Sequence, residues 1–275
     1  MKTSFRQFLA ESKIQIPPTT YQQAMSIVAA AYFSHLARLY RVDGEEPGPE
    51  FEKALQDARA KYGDFELHNL DRNNPALRGK VAFRTSELPE RYRKNIRTKD
   101  FVLKLYAGPR AAGNTNDGEY FQKSKGDPSA INVNVASVKP DRAVYNPNLI
   151  PQQLHSLEGI VDHELQHMVQ DVALGKLHPS QTGTNAARLA GQEDSDLYYN
   201  SQEEFGPQIT TAASDFINSI RGVKDREKIQ SAFYDAVDPR RNAGAYPFFA
   251  SVFKKNPQKW KKAVKEFHRL VQSQI

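Results

Sequence analysis

Apolar residues follow a helical spacing from Pro151 to Gly175. They recur every three or four positions, at Leu154, Leu157, Val161, Leu165, Met168 and Val172. Such a stripe is typical of an amphipathic helix, and Pro151 and Gly175 suit its start and the turn after its end. We therefore predict one helix here, with one side in a core and the other facing a cleft.

The same spacing predicts helices towards both ends of the chain. One runs from Pro18 to Arg41 and a second from about Glu50 to Lys61, and His35 in the first is interpreted as a core or boundary histidine. Asn256 and Pro257 begin a final helix, with Trp260 among its inward residues and lysines on its outer side. We interpret that basic helix as packed on the core rather than lying on a membrane.

The middle of the chain has strand patterns instead. Residues 101–106 are typical of a strand, 131–135 alternate strictly, and Tyr120 and Phe121 open a further strand. The glycines between them lack a phosphate-binding pattern and indicate a hairpin loop. Together these elements predict an α+β fold with a small, mostly antiparallel sheet before the 151–175 helix and a helical carboxy-terminal part.

Breaks in the pattern suggest three regions. Residues 1–14 form a separate terminal segment, 15–64 a helical region, and 65–275 the main domain.

At 39% hydrophobic and 25% charged residues, the composition is that of a globular protein. The longest apolar run, Ile27 to Phe33, falls short of the roughly 20 residues of a membrane span, and no secretory signal is evident. The absence of cysteine suits a reducing cytosol or a chain that must unfold and refold.

Positive charge is concentrated between residues 72 and 110. The basic residues there are Arg72, Arg78, Lys80, Arg84, Arg91, Arg93, Lys94, Arg97, Lys99, Lys104 and Arg110. Such a segment can hold nucleic acid or an acidic partner by counterion release. Because no nucleic-acid-binding motif accompanies it, a solvated basic surface is the favoured interpretation.

The 151–175 helix contains a HExxH motif. His163 and His167 are four residues apart, so they stand on the same helix face and can reach one zinc ion. Glu164 then lies beside the open metal position, where it can take a proton from a zinc-bound water. The motif predicts a hydrolytic zinc site with Glu164 as the general base.

A hydrolytic zinc usually needs a third protein ligand. Cysteine is absent, and the metzincin extension after the second histidine is missing, which leaves a downstream carboxylate on another helix. The best candidates are Glu203 and Glu204, which lead into a helical stretch ending near Gly222. Earlier acids lie in a polar loop that is less suited to a rigid ligand: Glu193, Asp194 and Asp196.

The HExxH motif and the later Tyr-Tyr-x-Ser-x-Glu-Glu-Phe segment resemble gluzincin-type zinc metallopeptidases over about residues 150–222. The resemblance implies a zincin-like fold, a peptide substrate and Glu204 as the third ligand. The family often has a small residue three positions after the ligand glutamate, and some members have an aspartate four positions after it. Counted from Glu204, these positions hold Pro207 and Gln208, whereas counted from Glu203 the small residue is Gly206. The choice between the two glutamates therefore stays open. By residue type and proximity, the candidate oxyanion donors are Tyr198, Tyr199 and His178.

The first fourteen residues resemble the capsid-targeting peptides of internal head proteins of tailed bacteriophages. In those, a prohead protease cuts after Leu- or Ile-x-Glu, which here is Leu9-Ala10-Glu11 and leaves Ser12 as the new amino terminus. The resemblance implies head-protein partners and a location in the virion interior and then the host cytoplasm. The alternative is a short amphipathic helix packed on a cytoplasmic peptidase.

A different class of function is also consistent with the sequence. A basic, non-catalytic virion protein would bind DNA or another head protein, with its zinc structural or absent. Such a protein has no need of Glu164, so the complete motif favours the enzyme.

Overall fold

The computed structural model describes residues 16–70, 75–88, 100–109, 117–121, 130–174, 202–240 and 246–272. The chain divides into two compact units, of which residues 14–179 form one and residues 1–13 with 180–275 form the other. The first unit contains all the described strands and the HExxH helix. The fold is therefore α+β, as the pattern predicts.

The ends of helices in the first unit coincide with residues that favour a helix start or stop. They are α1 (Pro18–Val42), α2 (Pro49–Tyr62), α3 (Asp141–Tyr145) and α4 (Ile150–Leu174). Proline occupies the start of α1 and α2, where its missing N–H costs nothing. Gly63 ends α2 with a φ of 92°, a conformation that a residue with a Cβ adopts only under strain.

Four strands form one mixed sheet in the order β1-β2-β4-β3. They are β1 (Leu77–Phe83), β2 (Phe101–Gly108), β3 (Gly118–Phe121) and β4 (Ala130–Asn134). The β1–β2 and β3–β4 pairs are antiparallel, whereas β2 and β4 are parallel. This topology places the short strand β3 at one edge of the sheet, although it precedes β4 in the chain.

One face of the sheet is covered by helices. α1 packs under β1 and β2, and α4 packs under β3 and β4. The resulting core is aromatic around Tyr32 and Phe33, whose rings pack edge to face with centroids 5.3 Å apart. His35 belongs to this buried layer, as expected from its position in α1.

The second unit is helical in its described part. Its elements are α5 (Gln202–Ser219), α6 (Arg226–Val237), α7 (Pro247–Lys255) and α8 (Pro257–Gln272). Asp225 and Asn256 cap α6 and α8, since each side chain accepts hydrogen bonds from two backbone N–H groups of the first turn. A cluster of phenylalanine rings centred on Phe267 fills the core. The final helix therefore packs inward, as predicted.

Among the helices of the described residues, none combines the length and the apolar character that a membrane crossing requires.

Candidate metal centre and catalytic glutamate

Helix α4 carries the HExxH motif, and its inner side is packed in the core. Its core side is fully buried at Leu157, Val161, Leu165 and Met168, so the orientation of the helix is determined by packing. The remaining faces carry polar side chains. His163 and His167 are half-buried on one flank, and both belong to the same unit as the sheet.

The two imidazoles converge. The Nε2 atoms of His163 and His167 lie 3.1 Å apart, with ring centroids 4.7 Å apart and ring planes at 82°. Two nitrogens bound to one tetrahedral zinc at about 2.05 Å would be about 3.3 Å apart. A hydrogen bond between two rings of suitable tautomer has a similar length. The geometry therefore fits two ligands of one zinc ion after a shift of only tenths of an ångström.

Glu164 does not share the histidine flank and is buried, with 6% of its surface exposed. It packs against the edge strand at Gly118. A Cβ atom added there would lie 2.8 Å from Glu164 Oε1 and 2.8 Å from the Cγ2 methyl of Ile160. Only glycine lets β3 approach α4 this closely, so strand and helix together hold the carboxylate.

A second carboxylate lies near Glu164. Burial raises the pKa of Glu119, and the negative charge of Glu164 raises it further. Glu119 follows Gly118 directly, in the edge strand. The charge of the motif glutamate therefore acts on a carboxylate of the edge strand.

A polar stripe on another side of α4 binds the helix to its neighbours. Glu158 accepts hydrogen bonds from the Tyr62 hydroxyl at 2.9 Å and from Lys61 Nζ at 2.6 Å, both at the end of α2. His155 Nδ1 lies 3.0 Å from its other oxygen. Burial by itself would raise the pKa of Glu158, but these hydrogen bonds and the Lys61 charge lower it from the ordinary 4.5 to about 2.

Asp162 and Gln166 continue this stripe beside the histidines. Burial raises the pKa of Asp162, whereas a 2.7 Å hydrogen bond from Gln166 Nε2 and the proximity of His163 oppose the rise. Within the described part of the chain, Gln166 Oε1 is buried without a hydrogen-bond partner. The motif is therefore flanked by a half-buried aspartate and a buried glutamine that are hydrogen-bonded to each other.

The third ligand is not settled by this geometry. Among the described residues, no three histidine, aspartate or glutamate side chains are grouped so that they can hold a metal ion. Glu203 and Glu204 lie in α5, but their side chains are outside the described part. The other candidates lie wholly outside the described residues: Tyr198, Tyr199, His178, Glu193, Asp194 and Asp196.

Gly118, which packs against Glu164, is a site residue that the sequence pattern did not reveal. A glycine within a strand often marks a close backbone approach, but the sequence pattern assigned Gly118 to a hairpin loop, whereas it begins β3. What it approaches depends on the strand order, which local pattern does not encode. The Lys61, Tyr62 and Glu158 network was missed for the same reason, since 96 residues separate its tyrosine from its glutamate.

Comparisons of the chain with models of known protein families, with curated proteins and with solved structures found no match.

Proposed function

We propose that the chain is a zinc-dependent metallopeptidase with a zincin-like first unit. The observation that carries the proposal is the convergence of His163 Nε2 and His167 Nε2 at 3.1 Å, one residue from a glutamate seated between helix and edge strand. A sheet edge packed over the helix that carries the motif supports the zincin-like interpretation. A purely structural site would not need a buried carboxylate at this point.

Each residue has a distinct role in the proposed site. His163 and His167, with Glu204 by the resemblance of its segment, would hold zinc. When bound, zinc would polarise the substrate carbonyl and lower the pKa of water towards neutrality. Glu164 takes the proton from the attacking water and delivers it to the leaving amine.

The sheet offers a place for the peptide. β3 is the edge strand beside Glu164, and its outer side has no strand partner among the described residues. At the opposite edge, side chains of α1 bind the backbone of Ala82 in β1: Gln23 Oε1 accepts from its N–H and the Thr20 hydroxyl donates to its carbonyl. An extended peptide would therefore pair with β3 through main-chain hydrogen bonds, with little sequence selectivity.

Metal content is the direct test of the site. We expect one zinc per chain in protein purified without chelators, and loss of that zinc in His163→Ala and in His167→Ala. His268→Ala is the matched control, because His268 is exposed in the second unit and should leave the zinc in place. Elemental analysis that finds no metal in the unmodified protein would overturn the proposal.

Glutamate variants separate the base from the ligand. Glu164→Gln preserves shape but removes the proton acceptor, so zinc should remain while hydrolysis of unfolded casein is lost. Glu204→Gln should weaken zinc binding, whereas Glu203→Gln should not. The reverse behaviour of the last two variants would assign the ligand role to Glu203.

A further inference from the structure

The outer face of β1 and β2 carries a cluster of cations. Lys80 lies directly opposite Lys104 in the antiparallel register, and Arg78 lies opposite Tyr106. These three cations, together with Tyr106 and the exposed Val102, form a surface that we call the basic face. Because side chains alternate along a strand, all five point to the same side of the sheet.

The basic face points away from the core. The alternate positions are buried against α1: Val81, Phe83, Leu103, Leu105 and Ala107. Gly79 lies so close to α1 that an added Cβ would meet Ile27 Cδ1 at 2.2 Å. The register cannot slip without burying the lysines, so their position outside is determined by the fold.

The basic face is costly to the isolated protein. Like charges directly opposite each other on neighbouring strands destabilise a sheet. Within the described part of the chain, no carboxylate forms a salt bridge with Arg78, Lys80 or Lys104. Val102 is 46% exposed in the same surface. The opposed Lys80 and Lys104 charges therefore work against folding, as expected of a surface that binds an anion.

We propose that the basic face binds single-stranded nucleic acid. The Arg78 guanidinium lies over the Tyr106 ring, 5.9 Å from its centroid, and the two planar groups offer a surface on which a base can stack. Lys80 and Lys104 form the next pair on this face, two residues further along each strand, where both ammonium groups can contact the phosphates beside that base. This function is additional to peptide hydrolysis and uses none of the residues of the HExxH site.

Shape and charge favour a single strand over other anionic partners. Duplex reading requires a helix or a two-stranded ribbon that enters the major groove, and the basic face is the broad side of a sheet. A membrane surface would need several exposed apolar side chains, whereas Val102 is the only large one that the described part of this face exposes.

The proposal is tested by measuring how the intact chain binds an oligothymidylate. Fluorescence anisotropy gives the affinity at several salt concentrations. Lys80→Gln with Lys104→Gln should weaken binding about ten-fold or more at about 50 mM salt, and should reduce the salt slope by about 1.4. Lys53→Gln with Lys228→Gln is the matched control, because those lysines have side chains 77% and 78% exposed in α2 and α6. The control should change binding less than two-fold.

Two further measurements separate binding from structure. Removing the Lys80 and Lys104 repulsion should leave the free energy of unfolding unchanged or slightly higher, so weaker binding would not reflect misfolding. Tyr106→Leu should weaken binding without changing the salt slope, since it removes stacking alone. Equal losses in the lysine and control pairs, a preference for duplex DNA, or tighter lysine-dependent binding to phosphatidylserine vesicles would each overturn the proposal.

Discussion

At the scale of single residues, the site depends on a contact between a glycine and a glutamate. Gly118 has no side chain, and the space that a methyl group would fill is occupied by Glu164 and Ile160. A general base must be held within a few tenths of an ångström of its productive position. For Glu164, the general base of the proposed mechanism, the edge strand would supply that constraint from outside the motif.

Gly118→Ala should therefore impair catalysis without removing the metal. The added methyl must displace Ile160 or the Glu164 side chain, and we expect kcat/KM on unfolded casein to fall about ten-fold or more. Zinc content, measured on the same sample, should remain at one per chain.

Gly159→Ala is the control for this change. It lies in the same helix as the motif, and a Cβ there meets no atom within 4 Å. Alanine is the better helix former, so this variant should keep full activity and gain about 0.5–1 kcal/mol of stability. Full activity in Gly118→Ala would show that the strand does not position the base.

At the scale of elements, α4 is tied to α2 by one buried carboxylate. The Glu158 carboxylate accepts hydrogen bonds from Tyr62 and Lys61 of α2 and pairs with His155 of its own helix. Its side chain is 13% exposed. A partly buried carboxylate with several charge-assisted hydrogen bonds contributes more than a surface pair does. The network holds the helix that carries the histidines against the rest of the first unit.

This network predicts a specific loss of stability in acid. The folded pKa of Glu158, about 2, lies below its ordinary 4.5, so its contribution is complete above about pH 4.5 and disappears as the pH falls towards 2. Glu158→Gln should cost on the order of 1–2 kcal/mol at pH 6, because solvent screens part of the effect, and much less near pH 2. Urea unfolding followed by the near-ultraviolet circular dichroism of the tyrosines measures both values.

Asp57→Asn provides the comparison at this scale. Its carboxylate pairs with Lys53 across an exposed helix turn, with side chains 69% and 77% exposed. Such a pair contributes about 0.5 kcal/mol or less. A Glu158→Gln variant no less stable than Asp57→Asn at pH 6 would contradict the assigned role.

At the scale of the whole molecule, the chain combines two compact units and a formal net charge of +6. The motif helix belongs to one unit and the glutamate-bearing helix α5 to the other. Residues 1–15 lie outside the described part, so the resemblance of the first fourteen to a capsid-targeting peptide stays a prediction. Positive charge and the absence of cysteine suit a chain confined with DNA and ejected through a narrow tail.

If the chain is packaged, mature virions should contain a form that begins at Ser12. The reason is that a prohead protease that cuts after Leu-x-Glu would remove residues 1–11. Mass spectrometry of purified virions measures the amino terminus directly. Detection of only the Met1 form, or of no form, would leave a cytoplasmic peptidase as the better account.

Local pattern alone determined most of the helices. The helix predicted to start at Pro151 and to end before Gly175 begins one residue earlier in the structure and ends at Leu174, and Pro18 begins α1 as expected. This is because helical periodicity and proline preferences act within a few residues. The relation of His163 to His167 is equally local, since one helical turn brings both rings together whatever the fold. No strand was predicted for β1, in which Gly79 and two basic residues mask the alternation.

The tertiary structure decided what surrounds the motif. Strand order brought Gly118 to Glu164, helix packing brought Tyr62 to Glu158, and strand register set Lys80 opposite Lys104. These contacts join residues 24 to 96 positions apart, and each depends on which surfaces bury together rather than on neighbouring residue types. The sequence thus determined that a histidine pair and a glutamate share one helix, and long-range packing decided which groups hold that glutamate and which cations face outward.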